Sequence, residues 1–577
     1  MTTSLTRQAE RELAAGRVVA AFELLAGAPG LADDLQALQM FAALGLRAGR
    51  HVQVRERLEA AVTQSPEDPV RLGLAAAVAH ATGDRTAAIG YAGRAIERDP
   101  AQTLAAPIVV EGLAEALHVS DAIRVSEACL QRDPGAWGVR LARVFAWMLA
   151  GESARALEDA ELARAAAPQS LPARMNAGLA SLYLDEPAIT TLARHASVAA
   201  EIPGLRGLKM EERPPYRAGQ RPLRIGLVSA DLRRHPVGMF IAPLLRHLAP
   251  QRVETVAYSD AEPDAATAAL RPLAWRWHDT AGLADAALFE RIQDDRIDVL
   301  VDLGGYTAGA RPRLFATRCA PVQLGYLGYL HPLGLKTMDG LVGDTDTLDE
   351  QAAEGFEDSL RLATHMLCYE PPAHAPGVLP RAQGPLRFCS FNHLAKLSPA
   401  TIGLWGRVLQ GCPGSTLTLC ALGLADAGVR LQLTRRFTAA GVEPDRLKLL
   451  PPETDPARFL ALYEGADIAL DPLPFNGGTT SLQALWQGVP VLTLPGKRMA
   501  ARMGRSMMKA IGLPEFVARN EEEFVRIATR LGADPAPLAA VRAGLRERMR
   551  AAGITDGARF AEGFAAAVED FASARLG

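Results

Sequence analysis

The chain has 577 residues, 49% of them hydrophobic and 22% charged, which is ordinary globular composition and, at roughly 100 to 200 residues per domain, implies about three or four domains. A formal net charge of -3 supplies no basic field for nucleic acid, and no run of about 18 uncharged apolar residues offers a membrane span. Six scattered cysteines (Cys129, Cys319, Cys368, Cys389, Cys412, Cys420) form no C-x-x-C pair and the first residues carry no signal-peptide core, so a cytoplasmic protein with reduced thiols is expected.

The first 200 or so residues are repetitive. Pro66, Pro100, Pro134 and Pro168 stand 34 residues apart, and "AAIGYAGRAIERDP", "DAIRVSEACLQRDP" and "ARALEDAELARAAAP" precede three of them. Twelve places before the last three prolines lie Ala88, Ala122 and Ala156, while Gly49, Gly83 and Gly151 share one register. A 34-residue unit with a small residue where two helices touch, a glycine turn and a helix-stopping proline is the tetratricopeptide pattern. Such units stack into a solenoid whose concave surface binds peptides or proteins. The expected helical domain covers residues 1–205, and the Pro/Gly-interrupted stretch 206–221 is a linker.

The period then changes. Short apolar runs at 223–231, 297–305, 386–392, 416–420, 447–451, 466–471 and 490–495 are separated mostly by amphipathic stretches, as in parallel sheets buried on both faces. A proline-rich break at 371–385 divides them into two doubly wound lobes, 222–382 and 383–545, followed by a helix over 546–577.

Within the second lobe, "DPLPFNGGTTSLQALWQGVP" runs from a strand through Asn476, Gly477 and Gly478 into a helix starting near Thr479. Free N–H groups and the positive helix end favour a phosphate there, with Thr479 and Thr480 as hydroxyl donors. Taken alone, the same residues also read as a tight turn capped by threonine. Lys396, in "SFNHLAKLSP", follows another strand and has the reach to join the same phosphates; its bland reading is an exposed loop lysine. His235 in "SADLRRHPVGMF" and His278 in "AWRWHD" are candidate catalytic histidines of the first lobe, although a lone histidine is more often structural. "LGGYTAGARPR" adds a glycine loop with Gly305 and Tyr306, and "GDTDT" offers Asp344 and Asp346 as a weak metal pattern whose usual meaning is a solvated turn.

Together, "VSADLRRHP", "LVDLGGYTAGAR", "APVQLGYLGY", "FCSFNHLAKLSP" and "ALDPLPFNGGTTSLQALWQGVPVLTLPG" resemble the O-GlcNAc transferase family, inverting glycosyltransferases that join tetratricopeptide repeats to a two-lobed α/β GT-B catalytic region. The resemblance implies a UDP-sugar donor, with N-acetylglucosamine leading, and a protein Ser or Thr hydroxyl as acceptor along the repeat groove. It implies no metal and no other cofactor. By the same resemblance Lys396 is similar to the family's diphosphate-contacting lysine, Gly478, Thr479 and Thr480, which Gly477 precedes, to its phosphate turn, and His235 to the active-site histidine of the first lobe, while His278 falls near the family's second one. His393, Gln483, Gly305 and Tyr306 complete the expected donor site. The chain departs from the family at His393, where glutamine is usual, and at Gln483, where a carboxylate is common. It departs again at Phe459, where a histidine is usual, and at Leu330, His331, Pro332 and Leu333, which replace a small-residue loop near the sugar. Another UDP-hexose, another acceptor, or a nucleotide-binding scaffold are the other readings.

Overall fold

The structure, a computed structural model, describes residues 2–212, 216–349 and 358–576. It divides into two compact units, Met1–Ala167 and Pro168–Gly577.

In the first unit the sequence register becomes helix register. Helices His51–Gln64, Arg85–Arg98, Val119–Arg132 and Ser153–Ala166 begin 34 residues apart, at 51, 85, 119 and 153, and each stops short of one of the spaced prolines. Ala88, Ala122 and Ala156 are fully buried, which lets neighbouring backbones approach. The turns before these helices need a left-handed residue, supplied by Gly49, Gly83 and Gly151. In the third repeat Leu117 occupies that place at φ 64°, a conformation that disfavours a non-glycine residue by about 1 kcal/mol.

The second unit holds two wholly parallel sheets. Strands β1 (Leu223–Ser229), β2 (Val253–Ser259), β3 (Arg276–Asp279), β4 (Val299–Asp302), β5 (Val322–Gly325), β6 (Gly340–Asp344) and β7 (Leu360–Leu362) lie in the order β3-β2-β1-β4-β5-β6-β7. The second sheet, β8 (Arg387–Ser390), β9 (Thr416–Cys420), β10 (Leu447–Leu450), β11 (Ile468–Leu470) and β12 (Val491–Leu492), has the order β10-β9-β8-β11-β12. Strand order reverses between β1 and β4 and between β8 and β11. Loops leaving those four strands therefore diverge to opposite faces and leave a crevice at each carboxyl edge, where such folds bind ligands. Five strands, β2, β3, β5, β6 and β7, were not among the expected runs.

Two expected boundaries move. Helices Leu171–Ser181 and Ala188–Ala200 belong to the second unit rather than to a repeat domain ending at 205, because their partners are in the lobes. Gly178 lies against the Tyr306 ring, His195 Nε2 is 2.7 Å from the Tyr329 hydroxyl, and buried Arg498 donates to the carbonyls of Leu182 (3.3 Å) and Leu184 (2.7 Å) and to the Thr191 hydroxyl (3.2 Å). The expected boundary at 545 falls inside helix Ala536–Ala551. The following helix, Gly557–Leu576, returns to the first lobe, where Glu569 and Glu562 pair with Arg252 at 2.7 Å and Phe564 packs against Tyr326.

His195 and His331 are fully buried with ring centroids 4.2 Å apart, next to Arg498. Burial pushes His195 down to about 4, opposed by its bond to the Thr191 carbonyl and reinforced by Arg194 and Arg498; His331 moves the same way. A base depressed on folding binds fewer protons than its unfolded form, so its stabilising contribution is intact above about 6.5 and is lost as pH falls toward 4. Lowering the pH to about 5 is expected to cost about 2 kcal/mol through His195 alone. Denaturant unfolding followed against pH should show that loss, flattened in His195→Gln.

Candidate functional site

The crevice of the second lobe is built around Asp471, the first residue after β11. Its carboxylate accepts the Gly477 N–H and the Thr493 hydroxyl, each at 2.7 Å, and so bends 471–478 back onto the strand end. Asn476 fixes the turn from the other side, donating its backbone N–H to Ala500 O (2.8 Å) and its amide to Pro472 O (2.9 Å). Gly478 then precedes helix Thr479–Trp486, whose first-turn N–H groups have no intrahelical acceptor. A Cβ on Gly477 would meet Ser481 Oγ at 2.2 Å, whereas one on Gly478 would meet nothing within 4 Å. The turn thus has a closed side and an open side.

β8 lies beside β11, so the loop after it reaches the same place. Ser390, Asn392 and His393 lead into a short turn, Leu394–Lys396, and the Lys396 ammonium donates to Asn476 O at 2.7 Å. It also stands 4.3 Å from the centre of the Phe475 ring. Burial pushes Lys396 down to about 8 despite the opposing charge of Asp471, and the same burial raises Asp471 to about 6. An ammonium desolvated this way, with one carbonyl as hydrogen-bond acceptor, favours an anion that enters the crevice. His393 accepts the Ala395 N–H at 3.1 Å and is pushed down to about 4 by burial and by Lys396, so it is a neutral acceptor. Thr480 donates to Asn392 Oδ1 at 3.2 Å, its carbonyl accepts the Tyr463 hydroxyl at 2.8 Å, and Thr479 and Gln483 are half-buried on the same helix. Phe391, Phe459 and Tyr463 form an aromatic cluster beside this loop, with centroid separations of 4.6 to 6.2 Å.

In the first lobe His235 caps helix Pro236–His247. Its Nδ1 accepts the Val237 N–H at 3.3 Å and lies 3.7 Å from Asp231, while the side chain stays 40% exposed. Burial lowers its pKa against the pull of Asp231, leaving a neutral ring. His235 lines a cleft of about 400 Å³ with Arg234, Met239, Leu270 and Leu273, and Arg234 donates to Thr454 O of the second lobe at 3.0 Å.

Five candidates stand elsewhere. His278 is not in that cleft's lining: it lies in β3, stacked 5.4 Å from Tyr258, with Nε2 2.8 Å from buried Asp295. Its ring hydrogen-bonds and so orders a structural carboxylate that Arg276 also pairs with. Tyr306 is buried under Gly178 and donates to Leu333 O at 2.7 Å, so it props the 330–333 loop instead of facing an opening. Gly305 takes φ 61° because Asp302 accepts its N–H and that of Gly304, and a Cβ there would meet Tyr329 at 2.3 Å. Asp344 and Asp346 are engaged by protein groups: Asp344 accepts Ser506 Oγ (2.8 Å) and the Thr347 and Met366 N–H groups, and Asp346 pairs with Lys509 and Arg505. Among the described residues no group of three or more His, Cys, Asp or Glu side chains is placed to hold a metal, and no helix is long and apolar enough to cross a membrane.

Sequence reasoning missed Asp471, Asn392 and Phe475. Asp471 had a usable signal, as an acidic residue at the carboxyl end of a strand; Phe475 had none.

The model of glycosyl transferase family 41 matches residues 189–368 and 379–563. The chain belongs to that family. The Solanum lycopersicum protein named "Probable UDP-N-acetylglucosamine--peptide N-acetylglucosaminyltransferase SPINDLY" is 35% identical over 350 residues, 59% of this chain and 38% of its own length. A UDP-N-acetylglucosamine--peptide N-acetylglucosaminyltransferase of Caenorhabditis elegans is 25% identical over 492 residues, 62% of this chain and 41% of its own. The chain thus spans about two fifths of the length of these curated relatives. A solved lysine-to-methionine variant of the Thermobaculum terrenum O-GlcNAc transferase matches at TM-score 0.75 and 30% identity, covering 94% of this chain and 98% of that one. The family 41 fold, helical repeats followed by two parallel α/β lobes, is the fold seen here.

The two adjacent glycines of the turn should behave differently. Gly477→Ala is expected to destabilise the protein by about 1 to 3 kcal/mol through overpacking against Ser481, whereas Gly478→Ala should unfold within about 0.5 kcal/mol of wild type. Denaturant melts of the two variants check this.

Proposed function

We propose that this protein transfers a sugar, with N-acetylglucosamine the leading candidate, from a UDP-sugar to Ser or Thr hydroxyls of proteins. The observation that carries the reading is the meeting of Lys396 with the 471–478 turn at the strand-order reversal, where a desolvated ammonium, unpaired helix N–H groups and an uncrowded Gly478 share one crevice. The names of the family relatives supply the donor and acceptor classes.

In this mechanism the diphosphate lies over Gly478 with Lys396 turned onto it. Negative charge grows on the departing phosphate as the anomeric carbon takes on oxocarbenium character, and the acceptor oxygen attacks the opposite face. Lys396 and the start of helix Thr479–Trp486 stabilise that charge before any rearrangement, so no metal is required. His235 is the base of choice: in its neutral form Nδ1, which accepts the Val237 N–H, holds the ring's free lone pair and Nε2 its proton, so the hydroxyl proton is taken at Nδ1 with release of that long bond. The aromatic cluster around Phe459 suits the uracil ring, and His393, Thr480 and Gln483 the polar edges of the nucleotide. Six buried thiols suit a reducing compartment. Buried Leu330, His331 and Leu333 in place of the family's small-residue loop favour, as a second reading, a different hexose on the same nucleotide.

The test is calorimetric titration with UDP and a panel of UDP-sugars, joined to transfer of labelled sugar into lysate proteins. Lys396→Met is expected to weaken UDP binding by about tenfold or more and to slow transfer about 10²- to 10³-fold while leaving the melt unchanged. Diphosphate binding raises the pKa of Lys396, so affinity should be full below about 8 and fall as pH rises through that value. Lys396→Met should lose that dependence, and chelators should leave transfer unaffected. Wild-type UDP affinity in Lys396→Met would defeat the site assignment; UDP binding without transfer to any acceptor would defeat the enzymatic one.

A further inference from the structure

The lysine of the proposed donor site is not held by the second lobe alone. Phe475, the ring beneath Lys396, is itself stacked on Tyr183, with centroids 5.2 Å apart and planes 13° from parallel. Tyr183 comes from residues 182–187, the connection between helices Leu171–Ser181 and Ala188–Ala200, which precede both lobes in the chain. That connection is fixed on either side of the ring. Buried Arg498 donates to Leu182 O and Leu184 O, and the Thr191 hydroxyl, which also receives an Arg498 bond, donates to Glu186 at 3.0 Å. Arg498 lies two residues from Ala500, whose carbonyl accepts the Asn476 N–H.

The contacts close a ring: Tyr183 to Phe475, Phe475 along the chain to Asn476, Asn476 to Ala500, and Arg498 back to the residues on either side of Tyr183. An aromatic pair of this geometry resists tilting of either ring, and the ammonium above Phe475 is attracted by its face. With Phe475 held, Lys396 has one aromatic floor and one carbonyl acceptor. Freed, the Phe475 side chain would swing and admit water to the ammonium.

We propose that Tyr183 is a positioning residue for the donor diphosphate: through Phe475 it fixes the place and desolvation of the Lys396 ammonium, making the helical connection 182–187 a working part of the nucleotide site. This rests on the reading of Lys396 as the diphosphate ligand. The charged and titratable groups acting on Lys396 are Asp471, at the end of β11, and His393, on its own loop; the variants below leave both in place.

The experiment is UDP titration across about pH 7 to 9 on the full chain, with Tyr183→Leu, Phe475→Leu and Tyr183→Phe beside wild type and Lys396→Met. Leucine keeps apolar bulk and removes the ring, and a thermal melt establishes that each variant is folded. Tyr183→Leu is expected to weaken UDP on the order of 3- to 10-fold near pH 7 and to shift the fall in affinity to higher pH, toward the ordinary range of lysine. Phe475→Leu should reproduce both effects, and Tyr183→Phe, which keeps the stack, should restore both. A Tyr183→Leu protein with wild-type affinity and pH profile overturns the proposal, as does weakened binding with the pH profile unmoved, which would mark a merely structural role. If Lys396→Met binds UDP as wild type does, the donor-site reading itself falls, independently of the Tyr183 result.

Discussion

Parallel strands impose the constraint on which the site depends. Every strand of a parallel sheet needs a crossover, and where the order reverses, neighbouring crossovers leave on opposite faces and their loops part. At β8 and β11 that parting sets Lys396 against Asn476, residues 80 apart in sequence, with the Asp471 carboxylate closing the turn from below. No single element makes this arrangement. It is a consequence of sheet order, filled in by one acid, one lysine and two glycines.

The electrostatics follow from the same packing. Asp471 and Lys396 are opposite charges in one poorly hydrated pocket, yet no direct ion pair joins them: Asp471 spends its oxygens on Gly477 and Thr493, and Lys396 its proton on a carbonyl. Burial pushes each toward its neutral form, and each leaves the other partly uncompensated. A site with unused positive charge and limited water is suited to a dianionic leaving group, because little solvent has to be displaced when charge appears.

What could be read from the sequence was what repeats or is buried on both sides. The spaced prolines showed the 34-residue period of the helices that stop just before them, since a proline does not continue a helix. The second lobe's strands stand out as apolar runs between helices. The first lobe hid more: β2 sets the adjacent polar residues Glu254 and Thr255 among apolar ones, β3 is an edge strand and carries Arg276 and His278, and β5 includes Gln323, which is fully buried but serves the Cys319 N–H and the Phe315 and Thr337 carbonyls. Of the site, Lys396 and the glycine turn were visible as chemistry-bearing types at strand ends. His278 and Tyr306 looked the same in sequence and lie against Asp295 and Leu333, because only the register decides whether a side chain meets such a partner or meets an opening. Tyr183 and Phe475 were beyond reach, since nothing local marks a stack between a helical connection and a distant turn.

The last helix, Gly557–Leu576, has a bearing on how the chain folds. It lies on the first lobe, with Gly557 against His247 and two glutamates on Arg252, although the whole second lobe is made between them. During synthesis the first lobe therefore waits with an uncovered surface until residues 557–576 have left the ribosome, so the two lobes cannot mature strictly in order. The helix joins the end of one lobe to the flank of the other, so the first lobe's surface is covered by residues made after the whole second lobe.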